Sequence, residues 1–288
     1  MLAASLALVI AVLSSLGWAA FDASRKALVR HASPACLVVL FGAGQLPCFV
    51  LGVLIWGAPE LSLAYVRPGL TCLVANVAAN LLFFHAVKLS PISRTVPLLA
   101  LTPVFAALIG YLLLDEHPSP RQWGGIGVIV LGAWSLNAGQ GLKGLVLGVL
   151  RERGSLYMAL VAGAWAISAT NDKLALPHAN VAFHASVQTG GVMLVVLIWL
   201  LVQGRGRELA AAREHWLALG VGVFVSVAAL GLQLIAIQTL LVSLVEAIKR
   251  AFGVVGSVVS GRALFREPVT PSMLVACGLL SLGVFLLI

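Results

Sequence analysis

The chain has 288 residues, 61% of them hydrophobic and only 10% charged, whereas a soluble domain is about half apolar and about a quarter charged. This composition belongs to an integral membrane protein and leaves little length for a soluble domain. The formal net charge of +8 is read as basic residues in short loops that set orientation and meet anionic lipid, not as a nucleic-acid surface.

A hydrocarbon core about 30 Å thick takes about 20 residues of helix. Ten such segments are predicted, at 2–21, 35–57, 66–88, 93–114, 121–139, 154–174, 181–203, 216–238, 241–263 and 270–288. The runs are continuous rather than alternating, which argues against strands. Turn signals separate them: Ser33-Pro34, Trp56-Gly57-Ala58-Pro59, Leu89-Ser90-Pro91, His117-Pro118-Ser119-Pro120, Leu176-Pro177 and Glu267-Pro268. The first segment lacks a basic leader and is long enough to span, so it is expected to be a retained helix. Residues 204–215 read as a polar surface loop. Residues 140–153 place Leu142, Leu145, Val146 and Val149 at helical spacing among Lys143, Arg151 and Arg153. That pattern predicts a short amphipathic helix lying in the interface.

The two halves echo one another. Trp18-Ala19, Lys26 and His31-Ala32 return at a constant spacing as Trp165-Ala166, Lys173 and His178-Ala179, and Leu114-Asp115-Glu116 with Pro120 returns as Phe265-Arg266-Glu267 with Pro271. Five helices per half is an odd number, so the second copy enters the membrane upside down. The expected fold is therefore all-α, with ten transmembrane helices as two inverted five-helix repeats, residues 1–139 and 154–288, joined by the linker 140–153. Inverted repeats are a common build of secondary transporters.

The stretch from Gly110-Tyr111-Leu112-Leu113-Leu114-Asp115-Glu116 through Ser119-Pro120-Arg121-Gln122-Trp123-Gly124-Gly125 resembles a motif of EamA-type members of the drug/metabolite transporter superfamily. Thr102-Pro103-Val104-Phe105 fits the Pro-containing run before it, and Phe265-Arg266-Glu267-Pro268-Val269-Thr270 is the copy in the second repeat. The resemblance covers nearly the whole chain. It implies a metabolite transporter without naming the substrate, since relatives carry amino acids, nucleotide sugars, sugar phosphates, drugs and other metabolites. A narrower likeness concerns the ninth helix. Ile248-Lys249-Arg250 followed by Gly253 to Ser260 is similar to the Lys-Arg pair of plastid phosphate-translocator relatives, where the pair holds the substrate's phosphate.

The residues themselves point the same way. Glu246, Lys249, Arg250, Gly253, Ser257 and Ser260 recur at three or four residues and so share one helix face. Each Lys or Arg at mid-membrane depth costs about 3 kcal/mol on insertion scales. One reading is a cavity stripe in which Lys249 and Arg250 bind an anion. The other is an internal ion pair from Glu246 to Arg250, with Lys249 snorkelling to the interface. Asn76 and Asn80, His184 and Gln188, and Gln233 with Ser226 each face one side of a helix. They are expected either to line the same cavity or to bond neighbouring helices. Asp22 with Arg25 and Lys26, and Asn171 with Asp172 and Lys173, end two helices. They read as gates or ion pairs, or as interfacial anchors. Glu116 and Glu267 read as caps in interhelical turns.

No metal or cofactor is expected, because Cys36, Cys48, Cys72 and Cys277 show no metal-like spacing and read as small apolar residues. No enzyme motif is present, and neither is a phosphate-cradling loop for an ATP-driven pump. The expected function is a secondary transporter, exporter or exchanger, of small polar, anionic metabolites by alternating access in a plasma membrane. Amino acids remain an alternative cargo, and a flippase for a phosphate-bearing lipid or a non-transporting scaffold remain alternative classes. The expected partners are a small-molecule substrate and membrane lipid, with no nucleic acid. A monomer is expected, although the spacings Gly124/Gly127 and Gly278/Gly283 leave a dimer open. Most of the 18 Lys and Arg residues fall in connections 1–2, 3–4, 5–6, 7–8 and 9–10, which places both termini outside the cytoplasm. Ten-helix relatives usually have both inside.

Overall fold

The computed structural model describes residues 2–29, 31–60, 62–90, 96–135, 152–211, 215–266 and 268–287. Among them ten helices of thirteen residues or more follow in chain order: α1 Leu2–Leu28, α2 Pro34–Trp56, α3 Leu63–Leu89, α4 Thr102–Leu114, α5 Pro120–Ser135, α6 Arg153–Ala175, α7 Val181–Val202, α8 Trp216–Ile237, α9 Val242–Phe265 and α10 Pro271–Leu287. A 3-10 turn, Val96–Leu101, leads into α4, another, Leu176–His178, follows α6, and a one-turn helix, Glu208–Ala211, precedes α8. The predicted interfacial linker 140–153 lies outside the described residues except for Glu152 and Arg153, and Arg153 already opens α6. Glu267 also lies outside them.

The boundaries have local causes. Ser33 caps α2 by accepting the Cys36 N–H at 3.3 Å, with Pro34 in the first turn. Asn180 caps α7 by accepting from Phe183 N at 2.8 Å. The segment predicted as one helix over 93–114 is 3-10 before it is α. Pro103 has no N–H to offer the Leu99 carbonyl, and the Thr102 hydroxyl donates to that oxygen instead, at 2.7 Å. α1 outruns its predicted end at 21 by seven residues, because Arg25 and Lys26 in its last turn suit the negative end of the helix dipole. Loss of hydropathy ended the apolar span there without ending the helix.

Among the described residues, five helices contain segments long and apolar enough to cross a membrane: Ser5–Leu28, Pro34–Trp56, Leu63–Ala86, Val181–Val202 and Trp216–Ile237. α6 and α9, at 23 and 24 residues, have the length but are less apolar. Outward side chains such as Leu54, Trp56, Leu112, Val202 and Phe224 are more than two-thirds exposed. That surface suits hydrocarbon and would be costly in water.

The chain divides into two compact units, and each draws on both halves of the sequence. The first comprises Met1–Val77 and Asn171–Thr239, the second Ala78–Thr170 and Leu240–Ile288. In the first unit α1 packs on α8 and α2 on α7, around Phe21, Leu28, Cys36, Leu37 and Phe41. Gly222 admits the Phe41 ring, whose edge lies 2.5 Å from where a Cβ would stand. The predicted loop at 204–215 is pinned here: Glu208 accepts from Ser33 Oγ at 2.5 Å and from Arg205 Nε at 2.6 Å. In the second unit α4 packs on α9 and α5 on α10, while Ala79 and Ala86 of α3 meet Met158, Val161 and Ala162 of α6. The close approach of α5 and α10 uses Gly125 and Gly283, where a Cβ on either would come within 2.9 Å of the other's carbonyl oxygen. Gly124, Gly127 and Gly278, predicted for close packing, face open space.

Candidate functional site

α9 carries the charged face expected of it, in the second unit. Glu246 is buried, with its side chain 1% exposed. Lys249 donates to Glu246, and Arg250 Nη2 stands 3.8 Å from the same carboxylate, an ion pair too long for a hydrogen bond. Lys249 and Arg250 are 17% and 20% exposed. The tighter partner of Glu246 is thus Lys249, one turn on, and Lys249 does not snorkel outward. Arg250 instead lies over the Trp165 ring of α6, 5.2 Å from its centroid, a cation–π contact. Two cations thus face the one Glu246 carboxylate. Further along the stripe Ser257 is exposed and Ser260 half-buried, and both donate to the α9 backbone. Asn80 of α3 also belongs to this unit and is half-buried.

The start of α9 is set by the motif residue Glu116. Leu241, at the N-cap position, supplies no side-chain bond, and the buried Glu116 carboxylate accepts the Val242 N–H at 2.9 Å. An anionic oxygen at a helix N-terminus is stabilised by the dipole as well as by the bond. A Cβ at Gly110 would stand 2.9 Å from Glu116 Oε2, so glycine there gives the carboxylate its room. Asp115 and Arg266, which end α4 and α9, are the non-glycine residues with left-handed backbone among those described, at φ 55° and 54°. Each returns its N–H to a glycine carbonyl, Gly110 and Gly261 respectively. The sequence echo at these positions is therefore an echo of backbone conformation.

The first unit holds a second polar cluster. Asp172 of α6 accepts at one oxygen, Oδ1, from Cys72 Sγ of α3 at 2.8 Å and lies 2.8 Å from His184 Nε2 of α7. Tyr65 Oη lies 3.0 Å from His184 Nδ1. Gln188 donates to the Gly69 carbonyl at 2.9 Å and accepts from Asn76 Nδ2 at 3.5 Å, and the same nitrogen lies 3.6 Å from Cys72 Sγ. Cys72, Asp172, His184 and Gln188 are all buried. Among the predicted residues, Asn76, His184, Gln188 and Asp172 thus belong to one network. Tyr65, Gly69 and Cys72 were missed, although they continue the Asn76 face of α3 backward at spacings of four and three residues.

Gln233 and Ser226 of α8 are engaged elsewhere in that unit. Gln233 accepts from Trp18 Nε1 at 2.7 Å, and Ser226 from Gln45 Nε2 at 2.6 Å. Trp18 and Trp165, equivalent in the sequence echo, thus meet a glutamine and an arginine. Asp22 and Arg25 form an exposed pair at 3.3 Å, as anchors do, and Lys26 is half-buried beside them. Asp172 is buried, unlike its Asp22 echo, and Lys173 is half-buried. A shallow cleft of about 570 Å³ at the ends of α6 and α8, lined by Glu60, Ser62, His178, Asn180 and Gln238 among others, contains none of the predicted site residues.

The model of the EamA-like transporter family matches residues 5–138 and again 152–288. An "Uncharacterized transporter" of Methanothermobacter thermautotrophicus is 27% identical over 218 residues, 76% of this chain. The chain spans 63% of that relative's length. A crystallographically solved chain described only as "protein" superposes with a TM-score of 0.79 over 98% of this chain and 97% of its own. At 16% identity that likeness shows the fold alone.

Proposed function

The chain belongs to the EamA-like transporter family, and from that premise we propose that it is a secondary transporter of small polar, anionic metabolites working by alternating access. The observation that carries this reading is the buried α9 group in which Lys249 and Arg250 face the carboxylate of Glu246. Two buried cations on a membrane helix are costly, and an anionic substrate that shares them with Glu246 offsets that cost. A guanidinium can grip a carboxylate or phosphate with two N–H donors, and Lys249 adds a point charge. In the empty state Glu246 shields both cations. When substrate enters, it competes with Glu246 for them, so binding is firm yet reversible.

In this reading α1 to α10 are ten spans in two inverted repeats, residues 1–139 and 154–288. The packing supports it, since α2 meets α7, α4 meets α9 and α5 meets α10, each helix with its counterpart in the other half. The matching left-handed ends of α4 and α9 support it as well.

The test is uptake by proteoliposomes across sugar phosphates, organic anions and amino acids, comparing wild type with Arg250→Ala. An anion carried by wild type and lost in a well-folded Arg250→Ala protein is the expected outcome. Normal transport by Arg250→Ala, or movement of a phosphate-bearing lipid between leaflets in place of soluble cargo, overturns the reading.

A further inference from the structure

Cys72, Asp172 and His184 each offer one ligand atom, and the three atoms lie within 4.8 Å of one another, buried, on α3, α6 and α7 of the first unit. We propose that this cluster is a binding site for a borderline-soft divalent transition metal, with Zn²⁺ the best match. One thiolate, one carboxylate and one imidazole are the donors such an ion prefers, while Mg²⁺ and Ca²⁺ take oxygen alone.

Charge selects the same ion. A thiolate, a carboxylate and a neutral imidazole around M²⁺ sum to zero, which suits a site with little water. A monovalent ion would leave the group negative. Binding releases the thiol proton, so the site tightens as pH rises.

The geometry needs little adjustment. Asp172 Oδ1 is 2.8 Å from both Cys72 Sγ and His184 Nε2. A tetrahedral ion with bonds of about 2.0–2.3 Å sets its ligand atoms about 3.5 Å apart. A side-chain rotation of Asp172 that moves its oxygen by less than about 1 Å opens that space. The surrounding shell is built. In the closed network the Nε2 proton of His184 faces Asp172, and Tyr65 donates to Nδ1. When the ion takes Nε2, the imidazole proton moves to Nδ1 and the Tyr65 oxygen accepts it, so one hydroxyl orients the ring in both states. Asn76 Nδ2, 3.6 Å from Cys72 Sγ, is placed to stabilise the thiolate. A water or small ligand takes the fourth position. Once bound, the ion ties α3, α6 and α7 together and stabilises the first unit by mass action.

The test uses the full-length protein in detergent, stripped with a chelator and titrated with Co²⁺, then Zn²⁺. One equivalent of Co²⁺ should give a thiolate-to-cobalt charge-transfer band with tetrahedral visible bands, and Zn²⁺ should displace both and raise the melting temperature. The band should survive substitution of Cys36, Cys48 and Cys277 by Ser together, and vanish with Cys72→Ser. Asp172→Asn or His184→Ala should weaken binding at least about 100-fold, and Tyr65→Phe about 10- to 100-fold, as loss of an orienting partner does. Wild-type protein with no cobalt–thiolate band, or with one that disappears in the Cys36/Cys48/Cys277 variant, overturns the proposal. Both outcomes are read without relying on the fold of the Cys72 variant. Neither depends on the anion-transport reading.

Discussion

On α9 one buried carboxylate, Glu246, faces two cations, whereas in the first unit one buried carboxylate, Asp172, faces a thiol and an imidazole. Both clusters lie in apolar helices, and both put three chemistry-bearing groups within a few ångströms. They differ in what completes them. The α9 group sets two cations against one carboxylate, and under the proposed function an anionic substrate shares them. The Asp172 group is joined by hydrogen bonds, and under the metal proposal it exchanges the thiol proton for a cation. The two proposals therefore give the two units opposite classes of ligand, an anion on α9 and a cation at Asp172.

The comparison breaks most sharply at the carboxylates. Glu246→Ala leaves two buried cations facing each other and should destabilise the protein by about 3–5 kcal/mol, read as a fall in melting temperature in detergent that added inorganic phosphate partly reverses. An unchanged melting curve would mean that the cations are solvated and the group is not a site. Next in size, Arg250→Ala removes a desolvated charge-assisted bond of about 2–5 kcal/mol, enough to abolish measurable anion binding in a calorimetric titration. Lys249→Ala should weaken binding strongly, though less, because a point charge is easier to replace than a bidentate fork. Glu246→Gln should tighten binding or slow release, because it removes the competing carboxylate while keeping the shape.

A smaller effect sharpens how α9 is held. Glu116→Ala deletes the cap on Val242 and should cost about 1–2 kcal/mol, as loss of a helix N-cap does. Gly110→Ala pushes against the same carboxylate. The two changes should therefore be non-additive in a double-mutant cycle, since both act through one bond. Additive effects would separate Gly110 from the cap. Smallest of all, Asp22→Asn at the exposed pair with Arg25 should change stability by less than about 0.5 kcal/mol in the same melting assay. A large effect there would mark Asp22 as part of a gate rather than an anchor.

Much of this architecture was legible in the chain alone. Hydropathy placed the helices, Ser33-Pro34 marked the start of α2, and the family motif was readable from Gly110 to Gly125. The charged face of α9 was readable too, since residues three and four apart must share a helix face. The errors at the ends of α1 and α4 are local: charges in the last turn prolong a helix, and Pro103 leaves a carbonyl that the 3-10 turn and the Thr102 hydroxyl must satisfy. What no local pattern could supply is which groups meet. Glu246 bonds Lys249 rather than Arg250 because the Trp165 ring of another helix takes the guanidinium. Glu116 caps a helix that begins 126 residues later. Cys72 shows no metal spacing along the chain, and its partner Asp172 lies 100 residues away. Helical periodicity is a property of neighbours in sequence, so composition and spacing determine which face each residue occupies. The partner opposite that face is decided only when helices from both halves pack and bury it, because in apolar surroundings a polar group must bond to whatever packing brings within reach.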